Sequence, residues 1–280
     1  MPARRPDLHL FQIYYSAATR RLLEAPYTPL DNSSNERPDW REYWPIRRYF
    51  AEHPPRDGEF YGFLSPAFRA KTRLDPEAVL DFVATHADAA DVLLFSPFFD
   101  QIAFFLNCWE QGALAHANAR GLFEESLALV APSFRIEATV GCSRNTVYCN
   151  YFIARGTFWR EWLVRCERLF ASAERGVSPL GRALAAPLEY KSQAAPAKVF
   201  VIERIAPALL ASEGAWRVQA YNPMLLPFSS APISHFGPAL AALDALKIAY
   251  LAERREQYLD AFFRLRAQFA QPQHPQPDSK

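Results

Sequence analysis

Three short apolar runs, each followed by a serine, constrain the fold of this chain more than any other feature. They cover residues 10–15, 59–64 and 91–95, and Ser16, Ser65 and Ser96 follow or end them. Their aromatic and β-branched content predicts strands, and the stretches between them have helical periodicity. Because such strands alternate with helices at intervals of about 25 to 40 residues, we predict an α/β fold with a mostly parallel sheet.

The remaining pattern completes this prediction. VYCNYFI within residues 146–153 predicts a fourth strand. Helices are expected at 16–23, 42–52, 75–86, 100–110, 122–130, 158–174, 199–210 and 239–269. We therefore expect one domain over residues 1–270, with the sheet in the N-terminal half covered by helices from the C-terminal half. The proline-rich stretch 271–280 is expected to be a mobile tail.

Composition excludes several classes of function. The chain has 31 Lys plus Arg against 30 Asp plus Glu, so it lacks the basic excess of a nucleic-acid binder. No run of about 18 apolar residues predicts a membrane span, although a peripheral membrane contact stays open. The four cysteines form no CxxC pair, and the N-terminus has no apolar signal region, so a reducing cytoplasm is expected.

Common local signatures of catalysis are also missing. The sequence contains no GxGxxG, P-loop, GxSxG or HExxH motif, and its six histidines do not cluster. Candidate sites therefore rest on polar groups at the ends of the predicted strands, where open α/β sheets bind ligands.

The segment from Leu30 to Arg48 combines charged and amide side chains with Trp40, Tyr43 and Trp44. Such a mixture favours the wall of a ligand-binding site, in which polar groups orient the ligand and aromatic rings cover its apolar face. A solvated turn with anchoring aromatics is the alternative interpretation.

Three further sets of residues could perform chemistry. Arg69 and Lys71 follow the second strand, where they could bind a pyrophosphate, or lie on a solvated helix surface. Asp100 and Gln101 follow the third strand; Asp100 could bind a divalent ion or simply cap a helix. Asn150, Glu203 and Arg204 interrupt apolar segments, where a buried amide needs partners and an ion pair could satisfy itself.

The chain resembles an uncharacterised bacterial family of glycosyltransferase-like proteins that occurs near cell-surface polysaccharide genes. The matching stretches are PLDNSSNERPDWREYWPIRRYF, YGFLSPAFRAKT, DVLLFSPFFDQIAFFLNCWEQG, NTVYCNYFIARGTFWREWL and KVFVIERIA. Their order is also similar to that of a more distant group of capsule-type transferases. Two departures stand out: a His-Pro-Gly turn is missing after Gly112, although His116 is present, and no DxD follows a strand.

The resemblance implies a GT-A-like fold and transfer of a sugar from a nucleotide-sugar donor to a cell-surface glycan acceptor. Combined with the strand-end residues, it suggests that Arg69, Lys71 and Arg47 bind the diphosphate. Sugar or base hydroxyls would bind Asp31, Asn32 and Asp39, and rings would stack on Trp40 and Trp44. Asp100 would be the metal ligand, for Mn²⁺ or Mg²⁺, or the general base, with Glu203 as the rival carboxylate. Further candidate substrate-binding residues are Gln101, Asn150 and Arg204.

Two other functions stay open. The missing DxD and the missing turn favour a carbohydrate-binding or assembly protein without catalysis. A glycoside hydrolase would need two facing carboxylates at a defined separation, and the sequence cannot place Asp31, Asp100 and Glu203 in space.

Overall fold

A computed structural model of the protein describes residues 7–115, 119–190, 193–212 and 216–270. The expected tail at 271–280 and the loop around His116 lie outside these described residues. Within the described ranges, no helix combines the length and the apolar character that crossing a bilayer requires.

The strands are mostly short. They are β1 (Leu8–Tyr14), β2 (Thr28–Asp31), β3 (Phe60–Leu64), β4 (Val92–Leu94), β5 (Phe152–Arg155), β6 (Pro187–Tyr190), β7 (Gln193–Pro196) and β8 (Val218–Ala220). The last of these places a strand from the C-terminal half in the main sheet, which corrects the expectation that the sheet is confined to the N-terminal half.

The helices cover both faces of this sheet. They are α1 (Ala17–Arg20), α2 (Tyr43–Glu52), α3 (Phe68–Thr72), α4 (Pro76–His86), α5 (Phe99–Phe104), α6 (Cys108–Ala115), α7 (Ala119–Val130), α8 (Gly156–Arg175), α9 (Pro179–Ala185), α10 (Ala197–Ile202), α11 (Ile205–Ala211), α12 (Gly237–Glu253) and α13 (Glu256–Ala270). Short 3₁₀ turns occur at Pro38–Trp40, Pro223–Leu225 and Pro232–His235.

The six-stranded sheet has the order β2-β1-β3-β5-β4-β8. β5 is antiparallel to its neighbours β3 and β4, whereas the β1–β2, β1–β3 and β4–β8 pairs are parallel. The predicted α/β fold with a mostly parallel sheet is therefore confirmed. β6 and β7 form a separate antiparallel hairpin.

Three predicted elements are shorter or broken. The strand predicted at 146–153 begins only at Phe152, because Cys149 and Asn150 have left-handed φ values of 61° and 53°. The helix predicted at 100–110 ends where Phe105 turns extended, and Asn107 starts α6 by accepting the Trp109 and Glu110 amides. The last predicted helix divides at Arg254, which is left-handed.

Side chains of the central strands alternate between two apolar cores. Phe11 and Phe63 face the larger core with α2, α7, α8, α10 and α11, while Leu10 and Leu64 face the smaller core with α3 and α4. This alternation is the period-2 pattern of strands buried on both faces. A third core joins α5, α12 and α13.

The parallel strands place their carboxyl ends at one edge of the sheet. β5 runs the other way, so its first residues reach the same edge. The segments after β1, β2, β3 and β4 and the turn before β5 therefore meet there, at the position where α/β sheets hold their ligands.

Candidate functional site

Lys71 places a positive charge at this edge. It lies in the last turn of α3, and its Nζ donates to Cys149 Sγ at 3.3 Å and lies 5.8 Å from the centre of the Tyr151 ring. The Tyr151 hydroxyl shares a 2.7 Å hydrogen bond with Ser65 Oγ, at the end of β3. The ammonium group is thus held by the turn before β5.

Two carboxylates share this neighbourhood. Burial raises the pKa of Glu203, which lies between α10 and α11; Arg204 and Lys71 oppose the rise, and Glu42 adds to it. Among the described residues, none donates a hydrogen bond to the Glu203 carboxylate. Glu42, which precedes α2, also acts on Lys71. Glu42, Lys71 and Glu203 are therefore close enough for their charges to interact. We call these three residues the carboxylate–lysine cluster.

The protonation states of the cluster follow from burial and charge. Burial acts to lower the pKa of Lys71, but Cys149, Glu203 and Glu42 outweigh it, and the net pKa is raised. Burial, with Glu203 adding to it, raises the pKa of Cys149 to about 12. At neutral pH Lys71 is therefore an ammonium group beside a neutral thiol, which is a poor nucleophile. The pair suits anion binding better than covalent catalysis.

Asn150 adds a polar atom without a partner. Its Oδ1 is buried and makes no hydrogen bond to any part of the described chain. Both Cys149 and Asn150 have the left-handed backbone that non-glycine residues seldom adopt, and such strain concentrates at functional sites. The turn therefore holds Cys149 against Lys71 and leaves the side-chain carbonyl of Asn150 without a partner among the described residues.

A pocket adjoins the carboxylate–lysine cluster. We call it the Asn32 pocket, and it is lined by Ile13, Tyr15, Asn32, Asn35, Pro38, Arg41 and Glu42. Asn32 is only 4% exposed, and its Oδ1 is buried with no partner among the described residues. Glu42 belongs to both the pocket and the cluster, so the two are contiguous.

Glu42 is the site residue that the sequence did not single out. It stood within the charged segment 30–48, where its neighbours offered equally plausible carboxylates. The signal that could have identified it is its position at the start of a helix that follows a strand-end loop. Sequence alone, however, cannot orient that loop toward Lys71.

Arg204 is a buried structural residue. Its guanidinium donates to the carbonyls of Cys108 and Phe200, at 3.1 and 2.8 Å, and to Gln111 Oε1 at 3.3 Å. A Cβ at Gly112 would lie 2.3 Å from its Nη2. Gln111 and Gly112 thus contact Arg204 although they are distant in the sequence, and these contacts hold the residue next to Glu203 in place.

Asp100 and Gln101 lie outside the site. Asp100 is fully buried; its carboxylate accepts the Ser229 amide at 2.8 Å, the Ser229 hydroxyl and Gln101 Nε2 at 2.9 Å. Gln101 also donates to Ser229. The carboxylate of Asp100 is thus engaged by protein donors in the interior, away from the carboxylate–lysine cluster.

Trp40 and Tyr43 of segment 30–48 belong to the protein interior, and Trp44 is half-buried. Trp40 is 1% exposed and donates to Glu174, so it cannot stack on a ligand. Trp44 lies against Phe170, and the guanidinium groups of Arg37 and Arg47 lie near its ring. The burial of Trp40 corrects the expectation that this ring forms a ligand platform, whereas for the half-buried Trp44 that expectation stays a prediction.

The other charged candidates have protein partners. Arg47 pairs with Glu167, Asp39 with Arg37 and Lys198, and Arg69 with Glu24. Asp31 ends β2, where hydrogen bonds from the Tyr14 hydroxyl and Ser33 lower its pKa to about 2. Of the predicted phosphate ligands, Lys71 alone lies in the carboxylate–lysine cluster.

Within the described ranges, no three His, Cys, Asp or Glu side chains come together as a metal site would require. Lys71 can neutralise an anion, Glu203 can take up a proton because its pKa is raised, and the unpaired amides can accept hydrogen bonds. No protein-family model, curated protein or solved structure matches this chain.

Proposed function

We propose that the protein is a glycosyltransferase that moves a sugar from a nucleotide-sugar donor to a glycan acceptor of the cell surface. The observation that carries the proposal is the position of Lys71 at the carboxyl edge of the sheet, beside the Asn32 pocket and near enough to Glu42 and Glu203 for their charges to interact. A mostly parallel sheet with one antiparallel strand is compatible with the GT-A-like fold that the sequence resemblance implies.

In this mechanism Lys71 neutralises the diphosphate that leaves with the nucleotide. A buried ammonium group stabilises developing negative charge because it is already oriented and needs little solvent rearrangement. Glu203 removes the proton of the acceptor hydroxyl as that oxygen attacks the anomeric carbon. Its raised pKa brings a carboxylate closer to the range in which a general base works efficiently.

The test is a transfer assay with a panel of nucleotide sugars and polysaccharide fragments, with and without Mn²⁺. We expect Lys71→Met to lower kcat/KM by about a hundredfold or more, as the loss of a group that stabilises transition-state charge does. Arg69→Met is the matched control, because Arg69 lies on the same short helix but pairs with Glu24 at the surface. Equal losses in the two variants would contradict a role for Lys71 at the leaving group.

Glu203→Gln tests the general base. We expect kcat to fall by a factor of about 10²–10⁴ while donor binding persists, because the amide keeps the shape but takes up no proton. In the wild type, kcat should rise with pH through an apparent pKa above the ordinary glutamate value of 4.5. Glycan binding without turnover in the wild type, under every donor, would favour the carbohydrate-binding alternative.

A further inference from the structure

Asn32 lines the Asn32 pocket and has a buried side-chain carbonyl with no donor among the described residues. Asn32 is held at both ends of its backbone, since its N–H donates to Tyr14 O at 2.8 Å and its carbonyl accepts from Asn35 at 3.0 Å. Buried polar atoms are almost always paired, and an exception calls for a ligand or a water. The oxygen requires an N–H or O–H group.

The walls of the pocket are of mixed character. Ile13 is buried and Pro38 adds a second apolar surface, whereas the Tyr15 ring, 44% exposed, lies at the rim. Arg41 lines the pocket with an exposed side chain and can donate to a carbonyl oxygen. A ligand group with a small apolar part, an N–H and a C=O would match all of these walls.

The size of the pocket limits what it can hold. Its volume is about 90 Å³. Since one water needs roughly 10–15 Å³ of such space, the pocket holds a small substituent more readily than a nucleobase with its ribose. The backbone around it is fixed in an unusual shape, with positive φ at Asn35 and Arg41. Strain of this kind is tolerated where the surroundings define a binding geometry.

We propose that the Asn32 pocket binds the acetamido group of a 2-acetamido sugar; this inference rests on the proposed function. The N–H of the acetamido group donates to Asn32 Oδ1, its methyl lies against Ile13 and Pro38, and its carbonyl accepts from Arg41. Glu42 belongs to both the pocket and the carboxylate–lysine cluster, so the same sugar presents its reacting carbon or hydroxyl toward Lys71 and Glu203. The Tyr15 ring covers an apolar face of the sugar.

The test compares two ligands that differ at one substituent. Calorimetry or ligand-observed NMR measures binding of uridine diphosphate N-acetylglucosamine and uridine diphosphate glucose, and of the corresponding methyl glycosides. We expect the acetamido member of at least one pair to bind about tenfold tighter, the worth of one buried neutral hydrogen bond. Asn32→Leu should abolish that preference, whereas Gln257→Leu, which removes an exposed amide on α13, should leave it unchanged.

A second variant keeps the test decisive if Asn32→Leu does not fold. Asn32→Asp retains an acceptor at the same position, so it should keep the preference to within a few fold. Equal affinity for both members of each pair in the wild type would overturn the inference, as would a preference that survives in Asn32→Leu. Uridine alone is tested as a competitor. If uridine displaces the acetamido ligand from the wild type and does not bind to Asn32→Leu, the pocket binds the base, and the acetamido assignment is overturned.

The outcomes also separate this inference from the proposed function. Transfer of acetamido and hydroxyl sugars at equal kcat/KM would overturn the acetamido assignment and leave the glycosyltransferase intact. Failure of every nucleotide sugar and every glycoside to bind would count against the glycosyltransferase itself.

Discussion

At the scale of single residues, the contact between Gly112 and Arg204 shows how the site is supported. The Arg204 guanidinium is buried against the face of Phe123, 4.5 Å from the ring centre, and its donors are taken up by backbone carbonyls and Gln111. A side chain at position 112 would occupy the space of the guanidinium. The glycine is therefore needed for its small size, and it keeps the residue next to Glu203 in place.

Gly112→Ala is expected to destabilise the protein. The new Cβ would lie 2.3 Å from Arg204 Nη2 and 2.8 Å from Phe123 Cε2. Overpacking of a buried contact costs about 1–3 kcal/mol, and the better helix propensity of alanine offsets up to about 1 kcal/mol of that. We expect a net loss of about 1–2 kcal/mol in the free energy of unfolding, measured by urea denaturation.

Gly121→Ala is the control for this substitution. Gly121 lies in α7, and a Cβ there would meet nothing within 4 Å, so the propensity gain should stand alone. Its unfolding free energy should stay equal or rise by up to about 1 kcal/mol. A Gly112→Ala protein as stable as Gly121→Ala would contradict the proposed crowding around Arg204.

At the scale of elements, a buried lysine joins α12 to α5. Lys247 is fully buried, and its Nζ donates to the carbonyls of Ile102 and Phe105, at 2.5 and 2.6 Å. These carbonyls lie at the end of α5, where helix carbonyls lack intrahelical partners. The cation thus terminates α5 before Asn107 starts α6.

The pH dependence of stability should report this lysine. Burial lowers the pKa of Lys247 to about 8 from 10.5, although Asp244 and Cys142 oppose the shift. Between these values the unfolded chain binds more protons than the folded protein, so stability rises with pH across that window. The rise is on the order of 3 kcal/mol for a shift of this size.

The measurement compares wild type with Lys247→Met, in which the titrating group is gone. Urea unfolding is followed at several pH values from below 8 to about 10.5, and the difference between the two proteins is plotted. The subtraction removes the contribution of the other groups that titrate there. A difference that does not change with pH would mean that Lys247 has its ordinary pKa.

The elements were predictable where local pattern decides them. Asp75 caps α4 and Pro76 opens it, as the sequence indicates, and the apolar spacing of α8 predicts that helix to within two residues at either end. The break after Phe104 was not predictable, because it depends on Asn107, which donates to the distant carbonyls of Ile136 and Thr139. The short edge strand β8 likewise depends on pairing with β4.

At the scale of the whole molecule, topology decides which predicted residues meet. Lys71 contacts Cys149, the neighbour of Asn150, because the end of β3 and the turn before β5 reach one edge of the sheet. Glu203, from a third segment, lies near enough for its charge to act on both Lys71 and Cys149. Trp40 and Asp100 had equally suitable chemistry in the sequence but are buried in cores. Burial of an individual side chain depends on partners hundreds of atoms away along the chain, which a local pattern does not contain.

The division into three hydrophobic cores also predicts which part of the molecule unfolds locally first. The third core, formed by Phe99, Ala103, Leu240, Leu243 and Phe262, contains no residue of the sheet. Arg266 and Glu110 add an ion pair at 2.9 Å between α13 and α6. Because so few buried apolar side chains bind the α12–α13 hairpin, we expect it to unfold locally at a lower free energy than the sheet.

Phe262→Ala tests this division. Phe262, in α13, is fully buried. Replacing it by alanine leaves a cavity, and such a substitution lowers the free energy of unfolding by about 3–5 kcal/mol. We expect faster amide hydrogen exchange in residues 237–270 and in α5, with β1 and β3 unchanged. Trp159→Ala is the comparison, because Trp159 packs in the larger core over the sheet. Its ring centre lies 5.1 Å from that of Phe63 and 4.6 Å from that of Phe152. That variant should raise exchange in β3 and β5 as well.

If Phe262→Ala raises exchange equally in β1, β3 and the hairpin, the hairpin unfolds together with the sheet, and the molecule has one cooperative unit.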